Sequence, residues 1–317
     1  MRSFRIVILM VVGMTLCGST ASAVELGLQL EAGKTYYQRM KADQQMEQEV
    51  MGGEQTVRHE VGSGLKMEVL DVDAQGNMRL RNTYNWALFK QSGPMSSVDY
   101  DSARQPGQVP VGAEGFAALL DQGYTITLSP QGKVLDVNGV EELQQAVQEE
   151  LRAGVAGTPM MNALQPYISE QGISELAKAT FAIYPANEVG PGDSWTQELT
   201  VAVGPEMMVE SKWMLRELEG GVALIDGTST MKSNPKAPPM DAGQMKVKFD
   251  LSGSDRSTTR IAEATGLILS TVSEQTLSGQ IHVVATPDSP PMMTIPIQIE
   301  TSATTEMSDR MWETELD

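Results

Sequence analysis

The 317-residue sequence contains very little cysteine and histidine. Cys17 is the only cysteine, and the two histidines are His59 and His282. A single cysteine excludes disulfides within the chain, and it excludes metal sites that need several thiolates. His59 is followed by Glu60, but neither histidine has a second histidine at the H-x-x-x-H spacing of a zinc ligand pair. We therefore expect no bound metal and no cofactor.

Sequence motifs of common catalytic sites are also missing. The chain has no G-x-S-x-G nucleophile elbow, and it has neither of the glycine-rich motifs that bind nucleotides. Two neighbouring acid pairs, Asp99 with Asp101 and Glu141 with Glu142, could in principle serve an acid-pair hydrolase. Such neighbours are expected by chance in a chain with 41 acidic residues. We predict no catalytic residue.

One acidic segment resembles the beginning of a calcium loop. Asp71 and Asp73 are followed by Gly76, which is the spacing of the first ligands in such a loop. Gln75 and Asn82 stand where a calcium loop needs further acidic ligands. The pattern favours a β-turn.

Basic residues are outnumbered almost two to one. The sequence has 23 Lys and Arg against 41 Asp and Glu, which gives a formal net charge of −18. A surface of this charge repels the phosphate backbone of nucleic acids and disfavours contact with anionic lipid. The sequence therefore predicts no nucleic-acid partner.

The first 23 residues have the organisation of a secretory signal peptide. Arg2 and Arg5 precede an apolar stretch over residues 6–16, and Ala21-Ser22-Ala23 is a typical cleavage site. No later stretch is apolar enough for a membrane helix. Bulky Leu16 before Cys17 does not favour lipidation of this cysteine. We predict a soluble exported protein, periplasmic or extracellular, without a transmembrane segment in the mature chain.

The chain repeats itself in order. Three segments of the first half have counterparts in the second half: residues 33–40 match 192–199, residues 78–80 match 222–224, and residues 125–135 match 259–269. Conserved order with loops of different length indicates two diverged copies of one strand-rich unit. We assign a first β unit to residues 24–138, a helical connector to 139–190 and a second β unit to 191–317.

Both units are dominated by long alternating segments that end at glycine-containing turns. Examples of such turns are Gly52-Gly53 and Gly220-Gly221. Long strands accumulate twist and therefore coil. The sequence predicts a mainly β, α+β fold with two tandem units of curved antiparallel sheet, shaped as partial barrels, and a few helices between them.

Methionine is unusually frequent, with 21 residues against five phenylalanines. Flexible methionine side chains suit either core filling or an adaptable apolar groove. We expect such a groove in the second unit, with the loop over residues 234–240 beside its mouth. The alternating apolar positions predict the lining residues Leu215, Leu218, Val222, Leu224, Val247 and Phe249.

The motifs Gly33-Lys34-Thr35-Tyr36, Gly192-Asp193-Ser194-Trp195 and Thr265–Leu269 resemble those of a family of exported bacterial proteins of unknown function. The resemblance covers essentially the whole mature chain and implies no catalytic site. More distantly, the expected architecture is similar to that of the half-barrel carriers of lipids and lipoproteins in bacterial envelopes. Architecture alone does not determine function.

Three hypotheses for function remain open. The first is a non-enzymatic envelope protein that binds an apolar or lipid-like small molecule in the concave face of a sheet. The alternative is a structural or interaction protein with filled sheets and an envelope protein as its partner. The third is an acid-pair hydrolase. An apolar void in the concave face favours the first hypothesis, and a filled interior favours the second.

We predict that the mature protein begins at Val24, because cleavage after Ala23 follows the short apolar stretch. N-terminal sequencing of the protein secreted from its own host checks this. An acylated Cys17 at the mature N-terminus would contradict it.

Overall fold

A computed structural model describes residues 23–50, 52–94, 97–152, 164–202, 204–242, 245–286 and 289–312. The predicted signal peptide, including Cys17, lies outside these residues except for Ala23. Part of the predicted connector, residues 153–163, also lies outside them. No helix in the described ranges has the length and apolar character needed to cross a membrane.

The described residues form long strands. They are β1 (Thr35–Val50), β2 (Gly53–Val72), β3 (Met78–Ser92), β4 (Ser97–Asp101), β5 (Gly123–Leu128), β6 (Val134–Asn138), β7 (Ser194–Val201), β8 (Met207–Glu219), β9 (Val222–Ser233), β10 (Met240–Ala242), β11 (Met245–Ala262), β12 (Ile268–Val284) and β13 (Met293–Ser308).

Helices are short and lie mostly between the two halves. They are α1 (Glu114–Ala117), α2 (Val140–Arg152) and α3 (Glu170–Phe181), and residues 164–168 are also helical. Ser169 is the N-cap of α3, and its side chain accepts a hydrogen bond from the Gly172 amide (3.0 Å). This cap satisfies one of the free amides at the helix start.

Within the described residues, the thirteen strands join one antiparallel sheet. Its main order is β6-β5-β3-β2-β1-β13-β12-β11-β9-β8-β7, with β4 beside β3 and β10 beside β11. The two halves meet where β1 pairs with β13, from Tyr37 opposite Ser308 to Gln48 opposite Ile297. The predicted mainly β fold with a few helices is confirmed, and the two predicted curved sheets are continuous with each other.

The sheet is open between its two end strands, β6 and β7, and α3 contacts both of them. A flat sheet would hold its end strands far apart, so contact with a single helix shows that this sheet curves strongly. The concave face holds the main core, and α3 lies in the opening.

The two halves repeat the same backbone hydrogen bonds. In the first half, the Gly33 amide donates to Val69 O and the Val69 amide donates to Lys34 O. In the second half, the Gly192 amide donates to Leu215 O and the Leu215 amide donates to Asp193 O. Register shifts follow directly after Val69 and after Leu215. These matches support the predicted duplication.

Tyr36 and Trp195, which the match of residues 33–40 to 192–199 aligns, agree with this register. Tyr36 is the second residue of β1 and faces Met67 across the strand pair. Trp195 is the second residue of β7 and faces Trp213. Each ring therefore occupies the same place at the beginning of its half.

The segment before β1 connects two equivalent turns. The Leu28 amide donates to Pro130 O in the β5–β6 turn (2.7 Å), and the Gln29 amide donates to Thr265 O in the β11–β12 turn (2.8 Å). The Tyr184 hydroxyl also donates to Gly266 O in the β11–β12 turn (2.6 Å). The chain therefore passes between the corresponding turns of the two halves and holds them together.

Gly266 allows this close approach, and we predict that Gly266→Ala is strongly destabilising. Its φ of 64° is left-handed, and an added methyl group would overlap the carbonyl oxygen of Gly27. We expect a loss of about 3 kcal/mol or more in the free energy of unfolding, measured by urea denaturation.

Gly221 provides the matched control for this variant. Its φ is 79°, and no described atom lies within 4 Å of an added methyl group. Gly221→Ala should therefore cost only the conformational term of about 1 kcal/mol. Equal losses in the two variants would show that the Gly27 contact contributes nothing.

Candidate functional site

The concave face of the second half encloses a cavity of about 640 Å³. Its walls are the inner faces of β7, β8, β9, β11, β12 and β13, together with part of β1. The last turn of α3 and the residues after it cover one side through Ala179, Thr180, Ala182 and Ile183. A neighbouring cavity of about 700 Å³ shares Gly204, Pro205 and Phe249 with it. The loop over residues 234–240 lies beside this outer cavity.

The outer part of the cavity is apolar. Met207, Met231, Leu251 and Ile297 are buried there and form a hydrophobic cluster separate from the main core. Phe249, Leu277 and other half-buried side chains pack against this cluster. An apolar wall that remains partly accessible is a surface on which an apolar ligand gains free energy by leaving water.

A row of polar side chains crosses the cavity behind the apolar cluster. The strand registers place one residue from each of six strands side by side on the inner face, in the order Ser211, Ser229, Asp255, Gln275, Thr301 and Gln44. His59 on β2 is the next residue in this row. Directly paired residues share a face of the sheet, so these groups form a continuous polar belt.

Neighbours in the belt bond to one another. The hydroxyls of Ser211 and Ser229 lie 2.8 Å apart, and Gln44 Nε2 donates to Thr301 Oγ1 (3.3 Å). Gln275 Nε2 has the sulfur of Met231 as a partner (3.3 Å), which is a weak acceptor. The belt therefore keeps hydrogen-bonding capacity that faces the cavity.

Asp255 is the acidic member of the belt. Burial raises the pKa of its carboxyl to about 6, because the charged form loses hydration. The Ser273 hydroxyl donates to this carboxyl and lowers the pKa, and the charge of Glu274 raises it. Asp255 is the only ionisable residue among the described residues that line the cavity. The carboxylate is thus placed among hydroxyls, amides and apolar groups.

Aromatic rings close the inner end of the cavity. Trp213 is buried there, and its ring stacks on Trp195 with 6.4 Å between the centroids. Trp195 Nε1 donates to Ile183 O (2.9 Å), which fixes the residues after α3 against the sheet. Access to the polar belt is therefore from the apolar side.

The corresponding interior of the first half is filled. The space left among its side chains is only about 40 Å³. Tyr84, Tyr124 and Tyr167 lie there, and Tyr84 donates to Tyr167 O (2.8 Å). Burial raises the pKa of both Tyr124 and Tyr167 to about 12. The two halves therefore differ in the content of their concave faces.

The predicted lining residues fall in three places. Val247 and Phe249 line the outer cavity, and Phe249 also lines the inner one. Leu215 is fully buried in the main core, and Leu218 packs against that core. Val222 and Leu224 alternate with the buried residues Ala223 and Ile225, and therefore project from the other face of β9.

Sequence reasoning missed the polar belt, because its members are ordinary serine, threonine and glutamine residues in separate strands. The one sequence signal was an acidic residue at an inner-face position of a strand. Asp255 follows Phe249 and Leu251 with the two-residue period of β11, and both of these side chains are apolar.

The remaining motifs have local roles. Asp73 accepts hydrogen bonds from the Asn77 side-chain amide (2.8 Å) and from the backbone amides of Asn77 and Gln75 (2.9 and 2.8 Å), and these bonds lower its pKa. His282 bonds to Thr294 (3.0 Å), while burial lowers the pKa of His59. In the described part of the chain, no three His, Cys, Asp or Glu residues are grouped as metal ligands.

The sequence matches a known protein family over residues 75–268, which is more than half of the chain. The chain belongs to the DUF6263 family. The function of this family is unknown, and the resemblance to a family of unknown function is confirmed. The family segment includes Asp255 and the walls formed by β8 and β9. No curated protein matches the sequence.

Several solved structures show weak similarity to this DUF6263 protein. DynF from the dynemicin biosynthesis pathway of Micromonospora chersina has 6% identity and a TM-score of 0.22, with 90% of this chain and 85% of that chain covered. OccK7 of Pseudomonas aeruginosa has 9% identity and a TM-score of 0.20, with 87% and 98% covered. A DUF1329 family protein from Desulfovibrio piger has 9% identity and a TM-score of 0.12, with 90% and 89% covered. Scores this low carry no argument about function.

The raised pKa of Asp255 predicts a pH-dependent stability. Between the ordinary value of 3.8 and about 6, the folded protein keeps a proton that the unfolded chain has released. The free energy of unfolding should therefore fall as the pH rises through this window. Asp255→Asn removes this contribution, so its stability relative to wild type should increase from about pH 4 to about pH 6 and then level off.

Urea denaturation of both proteins across this pH range measures the difference. Asp250→Asn is the matched control, because it removes one negative charge from the exposed face of the same strand. A stability difference for Asp255→Asn that does not change with pH would contradict the prediction.

Proposed function

We propose that this DUF6263 protein is a non-enzymatic binder of an apolar or lipid-like small molecule, which it holds in the cavity of its second half. The supporting observation is the contrast between the two interiors. The second half keeps about 640 Å³ of space behind an apolar entrance, whereas the equivalent space in the first half is about 40 Å³.

The size and lining of the cavity suit a small amphiphile. Ligand pockets usually have volumes of about 300–1,000 Å³ and mainly apolar walls with a few polar groups. Here the outer walls are apolar and the inner belt is polar. A ligand with an apolar tail and a polar end would therefore match the two zones.

Methionine side chains make the entrance adaptable. Met46, Met207 and Met231 all line the cavity. An unbranched thioether chain changes its shape at little cost and fits ligands of different outline. This composition suits a carrier that accepts related molecules better than a site specific for one rigid ligand.

A binder fits the site better than the acid-pair hydrolase. Hydrolysis by paired acids needs two carboxyl groups on opposite sides of the reacting bond. Asp255 is the only carboxyl group among the described lining residues. One of the sequence candidates, Asp101, accepts a hydrogen bond from Trp86 Nε1 (2.9 Å) instead.

We propose that the protein binds its ligand after export through the predicted signal peptide.

The structural or interaction hypothesis retains one supporting observation, which is the filled interior of the first half. In our proposal this half is a rigid support. Through the β1–β13 pairing, it holds one wall of the cavity in place.

We predict that neutral n-alkanols bind to the mature protein and that affinity increases with chain length. Each added CH₂ group buried in the cavity should contribute about 0.8 kcal/mol, or roughly fourfold in affinity, until the apolar zone is full. Isothermal titration with octanol, decanol and dodecanol measures the trend. Neutral headgroups separate this test from the charge of Asp255.

A pair of neighbouring substitutions tests the location of binding. Leu277 lines the cavity, so Leu277→Trp should fill it and weaken dodecanol binding by about tenfold or more. Thr276→Trp adds the same ring to the exposed face of the same strand and should leave binding unchanged. Absence of alkanol binding, or equal effects of the two variants, would overturn the proposal.

A further inference from the structure

We propose that the ligand is an amphiphile with a cationic, hydrogen-bond-donating headgroup of the ammonium type, and that Asp255 binds this headgroup while the tail points to the cavity entrance. The inference rests on the proposed function, because it assigns a ligand class to the same cavity. It follows from the position of one carboxyl group relative to the apolar walls.

The first argument is depth. Phe249, Leu251 and Asp255 lie on the inner face of β11, with Phe249 shared by both cavities and Asp255 in the inner one. The distance along the strand from Phe249 to Asp255 is roughly 20 Å, at about 3.3 Å per residue. The walls along this distance are apolar. A ligand whose tail covers these walls and whose polar end lies at the belt matches both zones of the cavity.

The second argument is charge. The described residues beside Asp255 are Ser229 on β9 and Ser273 and Gln275 on β12, all of them neutral. The residues of α3 that line the cavity, Ala179 and Thr180, are also neutral. His59 is the nearest titratable group in the same row and lies on β2, beyond Gln44. Arg256 and Glu274 project from the opposite, exposed face. A cationic headgroup would give the carboxylate a partner of opposite charge on the cavity side.

The third argument is hydrogen-bonding capacity. A carboxylate can accept about four hydrogen bonds. Ser273 supplies a side-chain donor to Asp255. An ammonium group donates three hydrogen bonds and accepts none, so it can bond to Asp255 and to neighbouring serine and glutamine oxygens together. An anionic headgroup at the same point would face the carboxylate and be repelled.

Three probes with the same dodecyl chain test the headgroup: dodecylamine, dodecanol and dodecanoate. We expect titrations of the mature protein at about pH 8, where Asp255 is ionised, to show dodecylamine binding about tenfold tighter than dodecanol. Dodecanoate should bind more weakly than dodecanol. In Asp255→Asn the preference for dodecylamine over dodecanol should fall to about twofold or less.

Two controls separate cavity binding from attraction to the acidic surface. Asp250→Asn removes a charge from the outer face of β11 and should keep the amine preference. Leu277→Trp obstructs the cavity and should weaken the binding of both dodecylamine and dodecanol. Amine binding that is insensitive to Leu277→Trp is surface binding and would overturn the proposal.

The outcomes distinguish the headgroup proposal from the proposed function. If dodecanol binds but the amine preference is absent, or persists in Asp255→Asn, the headgroup proposal is overturned and the carrier proposal stands. If none of the probes binds to wild type, both are overturned. Dodecanol binding together with an amine preference that Asp255→Asn abolishes supports both.

Discussion

The pairing of β1 with β13 is the interaction on which the rest of the structure depends. It joins the beginning of the first half to the end of the second, from Tyr37 opposite Ser308 to Gln48 opposite Ile297. Without it, each half would expose the hydrogen-bonding edge of a long strand. With it, the two concave faces become one surface, and Gln44 from the first half completes the polar belt of the second. The N-terminal segment strengthens the same arrangement through its bonds to the turns at Pro130 and Thr265.

The two halves share features of their backbone and differ in the contents of their interiors. The bonds at Gly33 and Gly192 are the same, and so are the positions of the register shifts after Val69 and Leu215. Buried tyrosines occupy the first interior, whereas small hydroxyl residues such as Ser229 and Ser257 lie on the second. Small side chains on a curved sheet leave space that larger neighbours cannot fill without strain. The first interior is therefore filled, whereas the second keeps a cavity.

Much of the strand pattern could be predicted from the sequence, but the choice of face could not. The run Val222-Ala223-Leu224-Ile225 is apolar at both parities, so alternation alone cannot decide which side chains point inward. A register shift after Leu215 also interrupts the two-residue alternation of β8, so the next inward-facing residue is Leu218, three positions later. For these reasons the sequence placed Leu224 on the lining, whereas Ile225 points inward. Phe249 lies outside this apolar run and far from this register shift. Apolar and polar residues alternate around it in β11, and the structure places it on the cavity wall.

The sequence by itself determined the features that depend on near neighbours along the chain. These are the long strands and the turns at Gly52-Gly53 and Gly220-Gly221, since backbone freedom and alternation act over a few residues. The repeat and the acidic charge are likewise properties of the sequence alone. Only the tertiary structure decided that one interior is filled and the other open. Only it brought Asp255 into line with Gln44 and Thr301, because strand register joins residues that lie far apart in the chain. Register depends on the pairing of whole strands, so no local pattern contains it.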